Sequence, residues 1–311
     1  MDKILVVGVE TVAGANIAAT LAEYGSVVGI AFETPLDIQG CDIHLATLAD
    51  SPADIIAEHA PRHIVYCGAA ARSSWEADFE SLFDASTPKV ASQWAAAANE
   101  AQVSLTYLSS DALFTGPWMF HEERGPGECK SPQAQWIRQA EQEVLAANET
   151  ALVVRTNVFG WSPFGSQGGE IEALLAEIEA KRIVDLDCIR HATPILASDL
   201  AEILWRCWQE QLQGIYHIAG AERVNPMKFA QRLADHFALP WLSLRREEPL
   251  VAPVAEFAAG ECSLQTKKLR KAVCIAMPML SESLTRLKEQ RQNGYCDRFQ
   301  TSTQPSHERV A

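Results

Sequence analysis

Gly8-Val9-Glu10-Thr11-Val12-Ala13-Gly14 follows a short apolar run, Ile4 to Val7, with the spacing of a turn from a buried strand into a helix. Such a turn cradles a dinucleotide when three positions are glycine: one for the bend, one for close backbone approach to a pyrophosphate, one for helix–strand packing. Here the outer two are glycine and the middle one is Thr11, whose Cβ stands where a phosphate oxygen would lie. Glu10 adds a negative charge that opposes a dianionic ligand. The turn reads equally as a weakened dinucleotide site and as a βα turn whose glycines only pack. Proton-transferring groups are also present. Asp111, His121, Glu122 and His191 lie on segments expected to rim a cleft, and a histidine is able to donate a proton near neutrality. Nothing in their spacing fixes any of them against a substrate.

Other chemistry has no foothold. There is no P-loop, no Gly-x-Ser-x-Gly elbow and no His-Glu-x-x-His. The eight cysteines (41, 67, 129, 188, 207, 262, 274 and 296) form no C-x-x-C pair and have no companion histidine spacing, so no metal is assigned. They read as buried, reduced thiols of a cytoplasmic protein.

The elements that must position these groups alternate in the manner of βαβ units. Strands are expected at Lys3 to Val7, Val27 to Phe32, Arg62 to Cys67, Val103 to Ser109 and Ala151 to Thr156. Helices are expected at Ala15 to Tyr24, from Ser51-Pro52, at Trp94 to Ala101 and from Ser131-Pro132 to about Ala147. Serine before proline is a helix-start signal. Past Gly160 the rhythm changes. A Gly/Pro-rich loop spans 161 to 169, helices are expected at 170–181, 198–211, 226–237 and 280–291, a strand at 214–219, and irregular chain at 240–262. The fold is therefore α/β: a Rossmann-type doubly wound parallel sheet over 1–160, a smaller C-terminal substrate-type lobe over 161–299 with a return strand to the sheet, and a disordered tail over 300–311.

Twenty-six basic against forty acidic residues in 311 leave a net charge of −14. That balance opposes nucleic-acid and anionic-membrane binding. No signal peptide or membrane-length apolar stretch is read.

Several further motifs occur in consistent order: Tyr66-Cys67-Gly68-Ala69-Ala70, Tyr107 to Gly116 (YLSSDALFTG), Val154 to Gly160 (VRTNVFG), Arg190 to Pro194, Asp199-Leu200-Ala201-Glu202, and Gly214 to Gly220. With the first turn, they make the chain resemble the extended short-chain dehydrogenase/reductases. It is most similar to the dTDP-4-dehydrorhamnose reductase group, which also includes the regulatory β subunit of methionine adenosyltransferase. The resemblance implies NAD or NADP contacted by Gly8, Thr11, Gly14, Gly68, Ala69 and Ala70, with Glu33 or Asp42 near the ribose. It also implies a proton-donating tyrosine, a lysine four residues later, an orienting serine or threonine, and a supporting asparagine. Matched position by position, the tyrosine place holds Gln135, the lysine place Gln139, the asparagine place falls near Ser86, and Ser110 keeps the hydroxyl.

The loss holds without that matching, because none of the five tyrosines (24, 66, 107, 216, 295) is followed four residues later by lysine. An amide carries no proton to transfer near neutrality. The expectation is a catalytically impaired protein that binds a nucleotide or nucleotide sugar, or regulates a protein partner, with no cofactor assigned. The alternative is an NAD(P)-dependent reductase of a nucleotide-linked 4-keto sugar using a non-standard acid. A homodimer through helices 86–101 and 131–147, the second carrying Trp136, is a third reading. Trp118, Met119 and Phe120 are expected to be covered, by a pocket, a partner or local packing. Leu204, Trp205 and Trp208 are expected in the core.

Overall fold

The structure, a computed structural model, describes residues 2–32, 34–47, 49–125, 127–165, 169–247 and 257–301. In chain order its strands are β1 (Lys3–Val7), β2 (Ser26–Ala31), β3 (Leu36–Ile38), β4 (Cys41–Leu45), β5 (His63–Tyr66), β6 (Ser104–Ser110), β7 (Leu152–Thr156), β8 (Val158–Phe159), β9 (Val184–Leu186), β10 (Ile195–Leu196), β11 (Gly214–His217), β12 (Leu244–Arg246) and β13 (Phe299–Thr301). The α-helices are α1 (Val12–Leu21), α2 (Pro52–His59), α3 (Thr87–Glu100), α4 (Pro132–Ala147), α5 (Glu170–Glu179), α6 (Ala197–Gln209), α7 (Pro226–His236), α8 (Lys267–Val273) and α9 (Leu280–Gln292).

Seven strands form one parallel sheet in the order β11-β7-β6-β5-β1-β2-β4. The central strands carry buried apolar runs, Ile4 to Val7 in β1, Ile64-Val65 in β5 and Leu152 to Val154 in β7, as expected of strands covered on both faces. On one face α1 packs against α6, burying Ile17, Leu21, Leu200 and Leu204. On the other, α3 packs against α4 and buries Trp94, Ala98, Ala140 and Val144. The order runs outward from β1 in both directions, so the loops after β1 and β5 diverge and open a crevice at the carboxyl ends.

Several boundaries depart from the expected ones. Helix α1 begins at Val12, not Ala15, because Thr11 is its N-cap: its hydroxyl accepts from the Gly14 N–H at 2.9 Å and donates to the Gly8 carbonyl at 2.8 Å. Strands β3 and β4 were not anticipated. Gln300 and Thr301, assigned to a tail, belong to β13, which pairs antiparallel with β3; 302–311 lie outside the described residues. Within the stretch expected to be irregular, β12 pairs with β9.

Trp118 and Met119 are 56% and 63% exposed, so within the chain neither a pocket nor local packing encloses them. Their loop is held by its backbone, with the Phe120 N–H on Ser263 Oγ, and the side chains project outward. Leu204 is buried, while Trp205 stacks on Tyr24 and Trp208 on His63, both at half-buried positions. Of the eight cysteines four are buried, three half-buried and Cys274 exposed. Among the described residues no helix is long and apolar enough to cross a membrane.

Candidate functional site

A cleft of about 830 Å³ lies over the carboxyl ends of β1, β2, β5 and β7. Its walls come from Glu10, Thr11 and Val12 after β1, Arg72 to Asp78 after β5, Val158 to Gly160 after β7, α5, β9, and the start of α7. Trp75, Phe159, Phe164 and Phe229 give it an aromatic side, with ring centroids 5.7 Å apart for Trp75–Phe229 and 5.0 Å for Phe159–Phe229.

Its charge is lopsided. Among the described residues eight carboxylates line it (Glu10, Glu76, Asp78, Glu170, Glu177, Asp185, Asp187 and Glu247) against two guanidinium groups, Arg72 and Arg190. Both cations are already engaged: Arg72 with Glu76 and Asp78, Arg190 with Asp187 at 2.7 Å.

The first turn has the geometry of a tight strand-to-helix link. Gly8 has φ +85°, and a Cβ there would lie 2.2 Å from the Cys67 carbonyl oxygen; at Gly14 it would lie 2.2 Å from the Gly8 oxygen. Both glycines are thus required by packing alone. The Gly14 amide, one of the donors a phosphate would use, is taken by Thr11. Glu10 lines the cleft and accepts from the Phe32 N–H. A dinucleotide pyrophosphate does not fit these residues: a donor is spent and the surrounding field is negative. Gly68 packs against the Tyr66 ring, and Ala70 lies in an apolar cluster. Asp42 stands near the amino end of β4, opposite Val28, far from the ribose end, and pairs with His44. Glu33 lies outside the described residues.

Ser110 and Asp111 have no exposed surface. The Asn157 amide donates to Asp111 Oδ2 at 3.0 Å and to Ser74 Oγ at 2.8 Å, while Ser73 donates to Asn157 Oδ1 at 3.0 Å. Ser110 donates to Asp111 Oδ1 at 3.4 Å and accepts from the Ala112 N–H. Burial pushes the Asp111 carboxyl up to about 6, against the pull of these hydrogen bonds. Beside it, Ala112 and Leu113 pack with Phe79, Phe83 and Phe257; Phe79 and Phe257 stack at 5.5 Å.

Gln135 and Gln139 are exposed on α4, bonded to the Lys130 carbonyl and to Glu143. They do not face the sheet. The buried positions of α4 are Ala134, Ile137, Ala140, Glu141 and Val144, and Trp136 is half-buried against the Phe79 cluster. Glu141 receives Arg155 on both carboxylate oxygens, at 2.9 and 2.7 Å, and the Ser109 hydroxyl at 2.6 Å. Ser86 is exposed at the start of α3, bonded to Asp84.

The histidines act as backbone clamps. His121 is buried against Phe114, its Nε2 3.0 Å from the Glu261 carbonyl, and its main chain bonds Ser263 and Gln265. Burial lowers its pKa, which suits a neutral ring. The His191 main chain bonds Gly260 and Cys262, and its Nδ1 donates to the Ile189 carbonyl. Together they pin 260–265 across the fold. Glu122 is exposed. The residues that sequence reasoning missed as a site are Ser73, Ser74 and Asn157; only Asn157 sat within a motif, and no spacing linked it to the serines.

The RmlD substrate binding domain family matches residues 2–292. This chain belongs to that family. Among solved structures it is similar to the dTDP-4-dehydrorhamnose reductase of Bacillus anthracis in complex with NADP (16% identity, 93% of this chain and 99% of that one, TM-score 0.74). It is similar also to the Bordetella bronchiseptica enzyme WbmH in complex with NAD+ (18%, 94% and 100%, 0.72). The dTDP-glucose 4,6-dehydratase of Bacillus anthracis in complex with NAD gives 12%, 95% and 98%, with a TM-score of 0.72. At such identities the likeness is one of fold. No curated protein sequence matches significantly.

Proposed function

We propose that this RmlD-family protein keeps the reductase scaffold without hydride transfer and acts by binding, as a regulatory protein. The observation that carries the reading is the enclosure of Ser110 and Asp111 in a chain with no Tyr-x-x-x-Lys. Reduction of a ketone needs a proton donor touching the carbonyl oxygen, and here the surviving hydroxyl and carboxyl hydrogen-bond to each other and to Asn157. The spent Gly14 amide and the acid-lined cleft support the same reading for the cofactor. They also weigh against a nucleotide sugar, leaving a protein partner as the favoured object of regulation.

The rival reading is a reductase of a nucleotide-linked 4-keto sugar with Asp111 as its acid. What favours it is that carboxyl's rise to about 6 and its link through Asn157 to Ser73 on the cleft wall. Nicotinamide fluorescence with NADH and NADPH separates the two. The expected result is no saturable binding at millimolar cofactor. Saturable binding with turnover of a 4-keto sugar nucleotide, abolished by Asp111→Asn, would overturn the proposal.

A further inference from the structure

We propose that a second pocket, at the opposite end of the strands from the cleft, takes an uncharged, disaccharide-sized carbohydrate. It lies at the amino ends of β5, β6 and β7, where α3, α4 and α6 finish. Its volume, about 710 Å³, is within the range of small-molecule sites. The inference is independent of what the cleft holds.

The lining is polar but without net charge. Six carboxamides belong to it, Asn99, Gln102, Asn148, Gln209, Gln211 and Gln213, and each such amide offers two donors and an acceptor. Among the described residues its one carboxylate, Asp2, is bonded to its one guanidinium, Arg62, at 2.9 Å, and His63 Nδ1 lies 2.9 Å from Ser104 Oγ. An ionic ligand therefore finds no uncompensated counter-charge. The carboxyl ends of three helices carry partial negative charge, which disfavours a phosphate or carboxylate further.

A donor without a partner stands in the same lining. Asn148 is 1% exposed. Its Oδ1 accepts from the Thr150 N–H at 3.1 Å and from the Thr150 hydroxyl at 2.8 Å, while its Nδ2 has no hydrogen-bond partner among the described residues. A buried amide donor in that state costs stability, and a ligand oxygen that accepts from it removes the cost. The half-buried indoles Trp205 and Trp208 give the pocket its apolar part. Trp208 is fixed, stacked on His63 and donating from Nε1 to Thr106 Oγ1 at 2.9 Å. Amides beside a fixed indole suit a sugar, whose rim is hydroxyl and whose ring carries C–H groups.

The test is calorimetric titration of the full chain with cellobiose and with maltose, beside adenosine and sodium glucuronate. The expected result is saturable binding of at least one disaccharide and none of glucuronate. Asn148→Asp keeps Oδ1 and replaces the unpartnered donor by an acceptor; it should weaken that disaccharide about tenfold. Gln209→Ala with Gln213→Ala, both at exposed positions, should weaken it similarly and keeps the test decisive should the Asn148 variant fail to fold. Absence of a saturable disaccharide site, unchanged affinity in the variants, or adenosine or glucuronate binding as tightly as the sugar overturns the proposal.

Discussion

At the level of single residues, the chain's ionisable groups are used to hold structure. Arg155 and Glu141 are both buried and doubly bonded to each other. Breaking such a pair strands a charge: Arg155→Met should cost about 3–5 kcal/mol in urea unfolding, and adding Glu141→Leu should recover most of it. Asp111 provides a pH signature. Its folded pKa of about 6 lies above its ordinary 3.8, so the folded state binds more protons than the unfolded one between those values. Stability therefore falls as pH rises through that window, by on the order of 2–3 kcal/mol. Asp111→Asn should flatten this loss, which unfolding curves at pH 4 and pH 7 would show. Legibility was uneven at this scale. The missing tyrosine and lysine were countable from the sequence. The network Ser73–Asn157–Asp111 was not, because its members lie 84 and 46 residues apart and no local period joins them.

Among the elements, the strand-to-helix turn after β1 was readable from its glycines, but its meaning was divided until Thr11 was seen to cap α1. Gly8→Ala should cost about 2 kcal/mol or more, since it combines positive φ with a 2.2 Å approach to the Cys67 oxygen. Thr11→Ala should cost about 1 kcal/mol through loss of the cap. Both are read from urea midpoints at unchanged slope. The central strands announced themselves because burial on both faces demands unbroken apolar runs. Strand β4, Cys41-Asp42-Ile43-His44-Leu45, is a half-exposed edge with a mixed pattern, and a three-residue strand such as β3 leaves too few positions for any period to register. On α4 the family matching named two positions, and the structure shows both side chains exposed. Gln135 and Gln139 share a face four residues apart, as a catalytic pair would, but periodicity alone did not say which face the sheet covers.

Across the whole molecule, the final described residues lock the first unit. β13 pairs with β3, Tyr295 and Phe299 meet edge to face, and Arg298 reaches the Ala19 carbonyl at 2.8 Å. Phe299→Ala should cost about 3 kcal/mol, and more than an equally buried change far from this junction; the thermal midpoint should drop in one cooperative step, because the clasp joins both halves of the chain. The sheet itself has a related dependence on chain order. β11, at Gly214–His217, covers β7, so a polypeptide emerging from the ribosome as far as residue 160 presents β7 as a bare edge, its amide and carbonyl groups open to any neighbour. Completion of the sheet waits for 57 further residues, to His217, and the β13–β3 pairing for residues 299–301. A protein assembled on that schedule is exposed to misassociation while nascent, and a holding chaperone is the cellular factor whose depletion its yield should register first.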